Sequence, residues 1–299
     1  MAAVGLNIQL VLYATPLATL WRALHAVAAA AAIARDRGWV SKTAVLLGDC
    51  HPTPGVVPGD VEALDHAARQ GGLDGVSYTF FDANLGSAGG SNRLAEQGRS
   101  PLLLVLNPDT YVAPTLLAQM VAVFDDPSVA LADARQLPLE HPKHYDPSLG
   151  DTSWASGSCM MVRRSAFERL GGFDTDHFFL YCDDVDFSWR ARLAGYRVVH
   201  VPSALVFHDK RITVDATVEP AETEDYFGLL GRLMLARRYD REDVMRQTIA
   251  AVEAGGNAAQ RDAVREYRRR ARAGRVPEPL PDAERVAEFV GGNYATHRF

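Results

Sequence analysis

Short apolar runs alternate with helix-spaced stretches through the first third of the chain. This alternation confines it to a sheet with helices packed on its faces. Ile8-Gln9-Leu10-Val11-Leu12-Tyr13 is a run of strand type that stops at Ala14-Thr15-Pro16. There Thr15 is suited to cap a helix and Pro16 to occupy its first turn. Leu17, Leu20, Trp21, Leu24 and Val27 recur at helical spacing, and Gly38 ends that element. Ala44 to Leu47 reads as a second strand running into Gly48-Asp49-Cys50, and Asp60 is placed to cap a helix reaching towards Gly71. Val76 to Phe81 and Leu102 to Leu106 are the third and fourth strands, while Val198–Val201 and Ala204–Phe207 read as two late strands around Pro202. Helical connections between strands imply an α/β fold with a mostly parallel sheet.

In such sheets ligands bind beyond the carboxyl ends of the strands. The first four strands end at Thr15, at Asp49, at Asp82 and Asn84, and at Asn107-Pro108-Asp109, polar groups suited to a sugar, base or phosphate. The third strand leads into Asn84-Leu-Gly86-Ser-Ala-Gly-Gly-Ser-Asn92, a glycine-rich turn opening a helix. Free N–H groups at a helix start suit a phosphate. The spacing is neither that of a dinucleotide fingerprint nor that of a P-loop, which disfavours a nicotinamide enzyme or a nucleotide hydrolase. Pro108 biases Asn107 away from helical geometry and leaves Asp109 projecting from the sheet edge. A carboxylate there can hold a hard divalent cation and, through it, a diphosphate; the plainer alternative is an Asx-type turn. His208, after a late strand, can complete a mixed oxygen/nitrogen site for Mn2+ or Mg2+, or be an ordinary hydrogen-bonded histidine.

The densest chemistry lies between Ser153 and Arg192. Asp183, Asp184 and Asp186 put three carboxylates into four residues, directly after Phe178-Phe179-Leu180-Tyr181. Acids this close repel one another, so they call for a metal, a cation or a reacting substrate. The structural alternative is an acidic first helical turn favoured by the helix dipole.

Six segments, in order, resemble the inverting nucleotide-sugar glycosyltransferases of the large family 2, with the GT-A fold, and are most similar to its rhamnosyl- and galactofuranosyltransferase branch. They are NLGSAGGSN (84–92), LNPD (106–109), SWASGSCMMVRRSAF (153–167), GGFD (171–174), FFLYCDDVDFSWR (178–190) and the histidine after ALVF, His208. The resemblance implies a Rossmann-like domain over residues 1–212 and a helical extension over 213–299. It implies Thr15 and Asp49 beside the nucleotide, with Asn84, Gly86 and Asn92 along the diphosphate and donor sugar. Asp109 stands where the family's DxD ends and, with His208, matches the metal ligands for Mn2+ or Mg2+. Asp184 matches the catalytic base, with Asp183 its acidic neighbour. Trp154, Gly157 and Ser158 match the acceptor wall, and Asp186 is a structural or sugar-contacting carboxylate on that side. The implied reaction is a single displacement from a UDP- or dTDP-sugar to the hydroxyl of a glycan, lipid-linked or small-molecule acceptor. The family's DxD is reduced here to Asn107-Pro108-Asp109. The rival reading is therefore a non-catalytic nucleotide-sugar binding protein.

Adjacent acids should raise the apparent pKa of the pair. They cannot flank a glycosidic bond from opposite sides, which argues against a glycoside hydrolase. No basic glycine-rich N-terminal loop for a triphosphate is present, which argues against a nucleotidyltransferase. A net charge of −6 argues against nucleic acid as the main partner. Cys50, Cys159 and Cys182 form no CxxC pair and suit reduced thiols in the cytoplasm. The apolar N-terminus has no basic start and reads as a strand and a helix, not as a signal peptide or a membrane span. Beyond Thr213, stretches 226–239, 241–254 and 258–273 are helical in composition, and 261–275 carries seven arginines against Asp262 and Glu266. That part reads as a lid, a homodimer surface or a basic patch facing an anionic lipid-linked acceptor at the inner face of the membrane. The alternative is a solvated helix face.

Overall fold

The computed structural model describes residues 3–140, 143–209 and 222–295. The first half runs β1 (Val4–Leu12), α1 (Leu17–Asp36), β2 (Val40–Asp49), α2 (Pro58–Gln70), β3 (Gly75–Phe80), α3 (Gly86–Gln97), β4 (Leu102–Leu106), β5 (Thr110–Val112) and α4 (Leu116–Ala122). It continues through β6 (Val129–Leu137), β7 (Cys159–Arg163), α5 (Arg164–Arg169), α6 (Asp183–Leu193) and β8 (Arg197–His208). Helices α7 (Glu222–Arg238), α8 (Glu242–Gly255) and α9 (Ala258–Arg272) follow.

The strands described form one sheet in the order β3-β2-β1-β4-β7-β6-β8-β5. The first four are parallel, as their helical connections require. The sheet is mixed overall, because β7 enters antiparallel between β4 and β6, and β5 lies antiparallel along β8. The two late strands read from the sequence are one strand, β8. Pro202 falls where the register against β6 slips between Ala134 and Arg135, and a proline is tolerated at such an irregularity.

Both faces of the sheet are covered. Leu102, Leu104 and Leu106 point into the layer with Leu20, Leu24 and Leu64 of α1 and α2. Leu103 and Val105 point the other way, towards Ala88 of α3, Phe167 of α5 and Phe187 of α6. The continuous apolar run of β4 thus follows from burial on both faces. Helix α1 is long and apolar enough to cross a membrane by composition, but here Leu20, Leu24, Val27 and Ala31 pack inside the fold.

Two expected helix caps are corrected. Extended Pro16 precedes α1, and Thr15 Oγ1 instead accepts a hydrogen bond from the Tyr13 N–H at 3.4 Å. Val57 caps α2 with Pro58 at the first position, where its missing N–H costs nothing. Asp60 therefore acts through the helix dipole in the first turn.

The expected boundary between residues 212 and 213 lies outside the described residues. Beyond it, α7, α8 and α9 fall where helical composition is read. Leu229, Leu233, Met234, Val264 and Tyr267 pack against Phe178, Val185 and Trp189 of the acidic segment in one apolar cluster. Several of the α9 arginines lie along its outer side in ion pairs, Arg268 with Glu253 and both Arg269 and Arg270 with Glu266.

Candidate active site

The bend after β4 is built from backbone hydrogen bonds. The Asn107 N–H donates to Ser158 O at 2.9 Å, and the Thr110 N–H and Oγ1 both donate to Asn107 O. β5 then pairs with the end of β8, setting Thr110 opposite His208. The Asp109 carboxylate, half-exposed, consequently stands 3.5 Å from His208 Nε2. Pairing of the three-residue β5 with the end of β8 brings together side chains almost a hundred residues apart.

The acid pair is held from three directions. Tyr181 and Cys182 both adopt left-handed backbone geometry (φ 63° and 64°) immediately before α6. Such geometry is rare for residues with a side chain and is retained where surrounding structure enforces it. α7 packs beneath this turn so closely that a Cβ on Gly231 would lie 3.0 Å from Cys182 Sγ and Tyr181 O. Asp183 then accepts a hydrogen bond from Ser87 Oγ at 3.0 Å. Asp184 accepts from the Gly157 N–H at 2.8 Å through Oδ2 and from the Val185 N–H through Oδ1. Burial, followed by the charge of Asp184, pushes the Asp183 carboxyl up to about 7, the direction expected for neighbouring acids.

Gly157 and Ser158 tie these two groups together. One holds Asp184 through its N–H, and the next residue accepts from the Asn107 N–H. The Asp109–His208 pair and the Asp183–Asp184 pair are therefore built on one loop before β7.

The glycine-rich segment completes the edge. It is not a loose turn, since α3 already begins at Gly86. Gly86 has φ +67°, and a Cβ there would sit 2.0 Å from Phe179 O. Gly90 allows α3 to lie against Val11, where a Cβ would meet the valine methyls at 2.6 and 2.8 Å. The glycines thus serve close packing, which sets the first turn of α3 and Ser87 beside the acids. Amides in that turn lack intrahelical acceptors.

Other expected residues are turned elsewhere. Asn84 is exposed and accepts from the Gly86 N–H at 3.3 Å. Asn92 makes two hydrogen bonds with the Phe173 backbone, donating at 2.8 Å and accepting at 3.0 Å, and so joins α3 to the GGFD segment. The Asp49 carboxylate, 1% exposed, accepts from the His51 and Gly55 N–H groups and from Tyr78 Oη. It folds the loop after β2 and, after burial itself, helps push the Tyr78 hydroxyl up to about 12. Asp186 is fully buried, accepting from Arg190 and from Arg238 of α7. Of the two roles read for it, this geometry carries the structural one. Trp154 is buried beneath the Lys143 ammonium and edge-on to Tyr294, and Ser158 Oγ lies 3.1 Å from Ser156 Oγ.

Ser87, Gln136 and Arg238 carry contacts that sequence reasoning did not assign. Ser87 sits inside the glycine-rich segment and could have been weighed there. Gln136 lies on β6, a strand not read from the sequence. The partners of Arg238 lie more than fifty residues away.

Asp109 and His208 offer one carboxylate oxygen and one imidazole nitrogen, a donor set suited to Mn2+ or Mg2+ when phosphate oxygens and water complete the shell. Among the described residues no group of three or more His, Cys, Asp or Glu gathers in metal-holding geometry. The pair therefore fits a cation shared with a ligand, not a cage made by protein alone.

Residues 102–219 match the family described as glycosyl transferase family group 2. The chain is 51% identical over 68 residues to N-acetylglucosaminyl-diphospho-decaprenol L-rhamnosyltransferase of Mycobacterium tuberculosis, covering 23% of this chain and 22% of that protein. It is 46% identical over 55 residues to rhamnosyltransferase WbbL of Escherichia coli, covering 18% and 20%. The chain matches only about a fifth of the length of each. In fold it resembles a mannosyltransferase of Pyrobaculum calidifontis solved with GDP-Man and Mn2+, at TM-score 0.57 and 17% identity, over 95% of this chain and 79% of that one. The resemblance to family 2 glycosyltransferases with rhamnosyltransferase relatives, and the GT-A fold it implied, are borne out.

Proposed function

We infer that this chain, which carries the pattern of glycosyl transferase family group 2 over residues 102–219, is a glycosyltransferase that moves a sugar from a nucleotide-diphosphate donor to an acceptor hydroxyl. The observation that carries this reading is the convergence, around Gly157 and Ser158, of an acid pair, a helix N-terminus and a carboxylate–imidazole pair. Displacement at an anomeric carbon needs a base on the acceptor side and charge compensation on the leaving group. Asp184 takes the proton of the acceptor hydroxyl as that oxygen bonds to the anomeric carbon. The bond from that carbon to the diphosphate breaks, and the diphosphate leaves with the electron pair. One displacement inverts configuration. Asp109 and His208 would hold a divalent cation that neutralises charge on the diphosphate when bound. The first turn of α3, from Ser87 onward, adds backbone N–H groups on the donor side. Asp49 shapes the nucleotide side by holding the loop after β2 rather than by exposing its own carboxylate.

UDP- and dTDP-sugars are the donors this reading favours. A relative named for rhamnosyl transfer to N-acetylglucosaminyl-diphospho-decaprenol supports a lipid-linked acceptor, and on this reading the chain works at the cytoplasmic face of a membrane. The test is a screen of UDP-, dTDP- and GDP-sugars for slow metal-dependent hydrolysis. At least one donor should turn over. Tight donor binding with no turnover, whatever the acceptor, would instead favour the non-catalytic binding protein.

A further inference from the structure

Gln136 is the penultimate residue of β6, is 1% exposed, and pairs in register with Val206 two residues before His208. An amide at such depth costs free energy unless its N–H and C=O groups are both used. Here the side-chain amide donates to Ser156 Oγ at 2.9 Å, and its oxygen lies 3.0 Å from His208 Nδ1. Ser156 is itself fixed, through its N–H to Asp133 and through its hydroxyl beside Ser158. The amide nitrogen lies on Ser156 and the oxygen faces the ring, an arrangement that a hydrogen on Nδ1 completes. Nε2 then keeps its lone pair and points at Asp109, 3.5 Å away.

We propose that Gln136 is a positioning residue that holds His208 in its Nδ1–H tautomer and aims Nε2, together with Asp109, at a divalent cation. This rests on the metal reading of the pair given above and extends it to a residue that never touches substrate. A hydrogen bond to the distal ring nitrogen fixes both tautomer and orientation of a metal-binding imidazole, and losing it typically costs about 10–100-fold in metal affinity. It also gives a use to a buried polar side chain that follows the apolar Ala132 and Ala134 on its own face of β6.

Two readouts decide the matter without any glycosyl transfer. In 15N NMR of the neutral imidazole, with the His208 signals assigned by their loss in His208→Ala, Nδ1 should bear the proton in the wild-type protein. That preference should vanish in Gln136→Leu. In titrations with Mn2+ alone, followed by electron paramagnetic resonance, Gln136→Leu should bind about 10–100-fold more weakly. Gln136→Glu keeps an oxygen facing Nδ1 and should bind as tightly as the wild type or tighter, which separates positioning from loss of fold. A proton found on Nε2 in the wild type overturns the proposal. So does Mn2+ binding that needs His208 yet ignores Gln136→Leu. Mn2+ binding that survives both His208→Ala and Asp109→Asn instead sinks the metal reading on which the proposal stands.

Discussion

Helix α6 carries two carboxylate environments within its first four residues, and they behave oppositely. Asp183 and Asp184 face the donor-side turn and the Gly157 loop, where Ser87 Oγ and the Gly157 and Val185 N–H groups donate to them. Asp186, on the inner side, lies between Arg190 and Arg238, with the Tyr239 hydroxyl on its backbone and carboxylate. Arg238 reaches on to Asp174, which His177 also contacts at 2.8 Å. Burial pushes the Asp174 carboxyl upward, but the His177 hydrogen bond and the Arg238 charge outweigh it and hold the group well below the usual carboxylate range. Residues of one type are thus split by their partners. An acid paired with guanidinium becomes structure, whereas an acid crowded by another acid keeps its proton into the neutral range and is available for chemistry.

The largest effect that sharpens this contrast is on turnover. Asp184→Asn should cut transfer about 10²–10⁴-fold while leaving donor affinity near the wild-type value, read by calorimetry and initial rates. Retained activity would move the base elsewhere. On the structural side, Arg238→Met should cost about 3 kcal/mol in urea unfolding, because it strips a buried carboxylate of one cation while Arg190 remains. If that variant unfolds like the wild type, the inner cluster is not what fastens α7 to α6.

The two environments should also bend stability with pH in opposite directions. Asp183 has a raised folded pKa, so its contribution is complete below its unfolded value of 3.8 and is lost as pH rises through about 7. Asp183→Asn should flatten that loss. Asp174 has a depressed folded pKa, so its contribution is present above 3.8 and is lost as the medium becomes more acidic. Arg238→Met should weaken that acid-side loss. Unfolding free energies measured across the two windows check both signs, and parallel slopes would erase the distinction. The smallest change is Ser87→Ala. Ser87 lowers the Asp183 pKa, so its loss should move the neutral-range fall in stability to higher pH. It should also slow transfer by roughly tenfold at most, the worth of one hydrogen bond.

Much of this arrangement is legible in the chain. The four parallel strands, the polar residues at their ends, the acidic start of α6 and the three C-terminal helices all follow from local spacing, since each depends on neighbours within a few residues. The missed elements have a common cause. β7 lies inside a segment read as a functional motif, β5 is only three residues long, and β6 runs into Arg135-Gln136 without a clean alternation. All three owe their pairing to distant partners.

The site divides the same way. Local sequence determined which residue types gather at the sheet edge: an acid pair, a glycine-rich helix start, one projecting carboxylate and one histidine. Only the tertiary structure decided which way each one faces. It turned Asp49 into its own loop, spent Asn92 on the Phe173 backbone, and set Asp186 against an arginine fifty-two positions later. It also put Gln136 behind His208. Composition and spacing report the chemistry a residue can offer. Its charge state and orientation depend on burial and on partners brought near by strand pairing, and those come only with the folded chain.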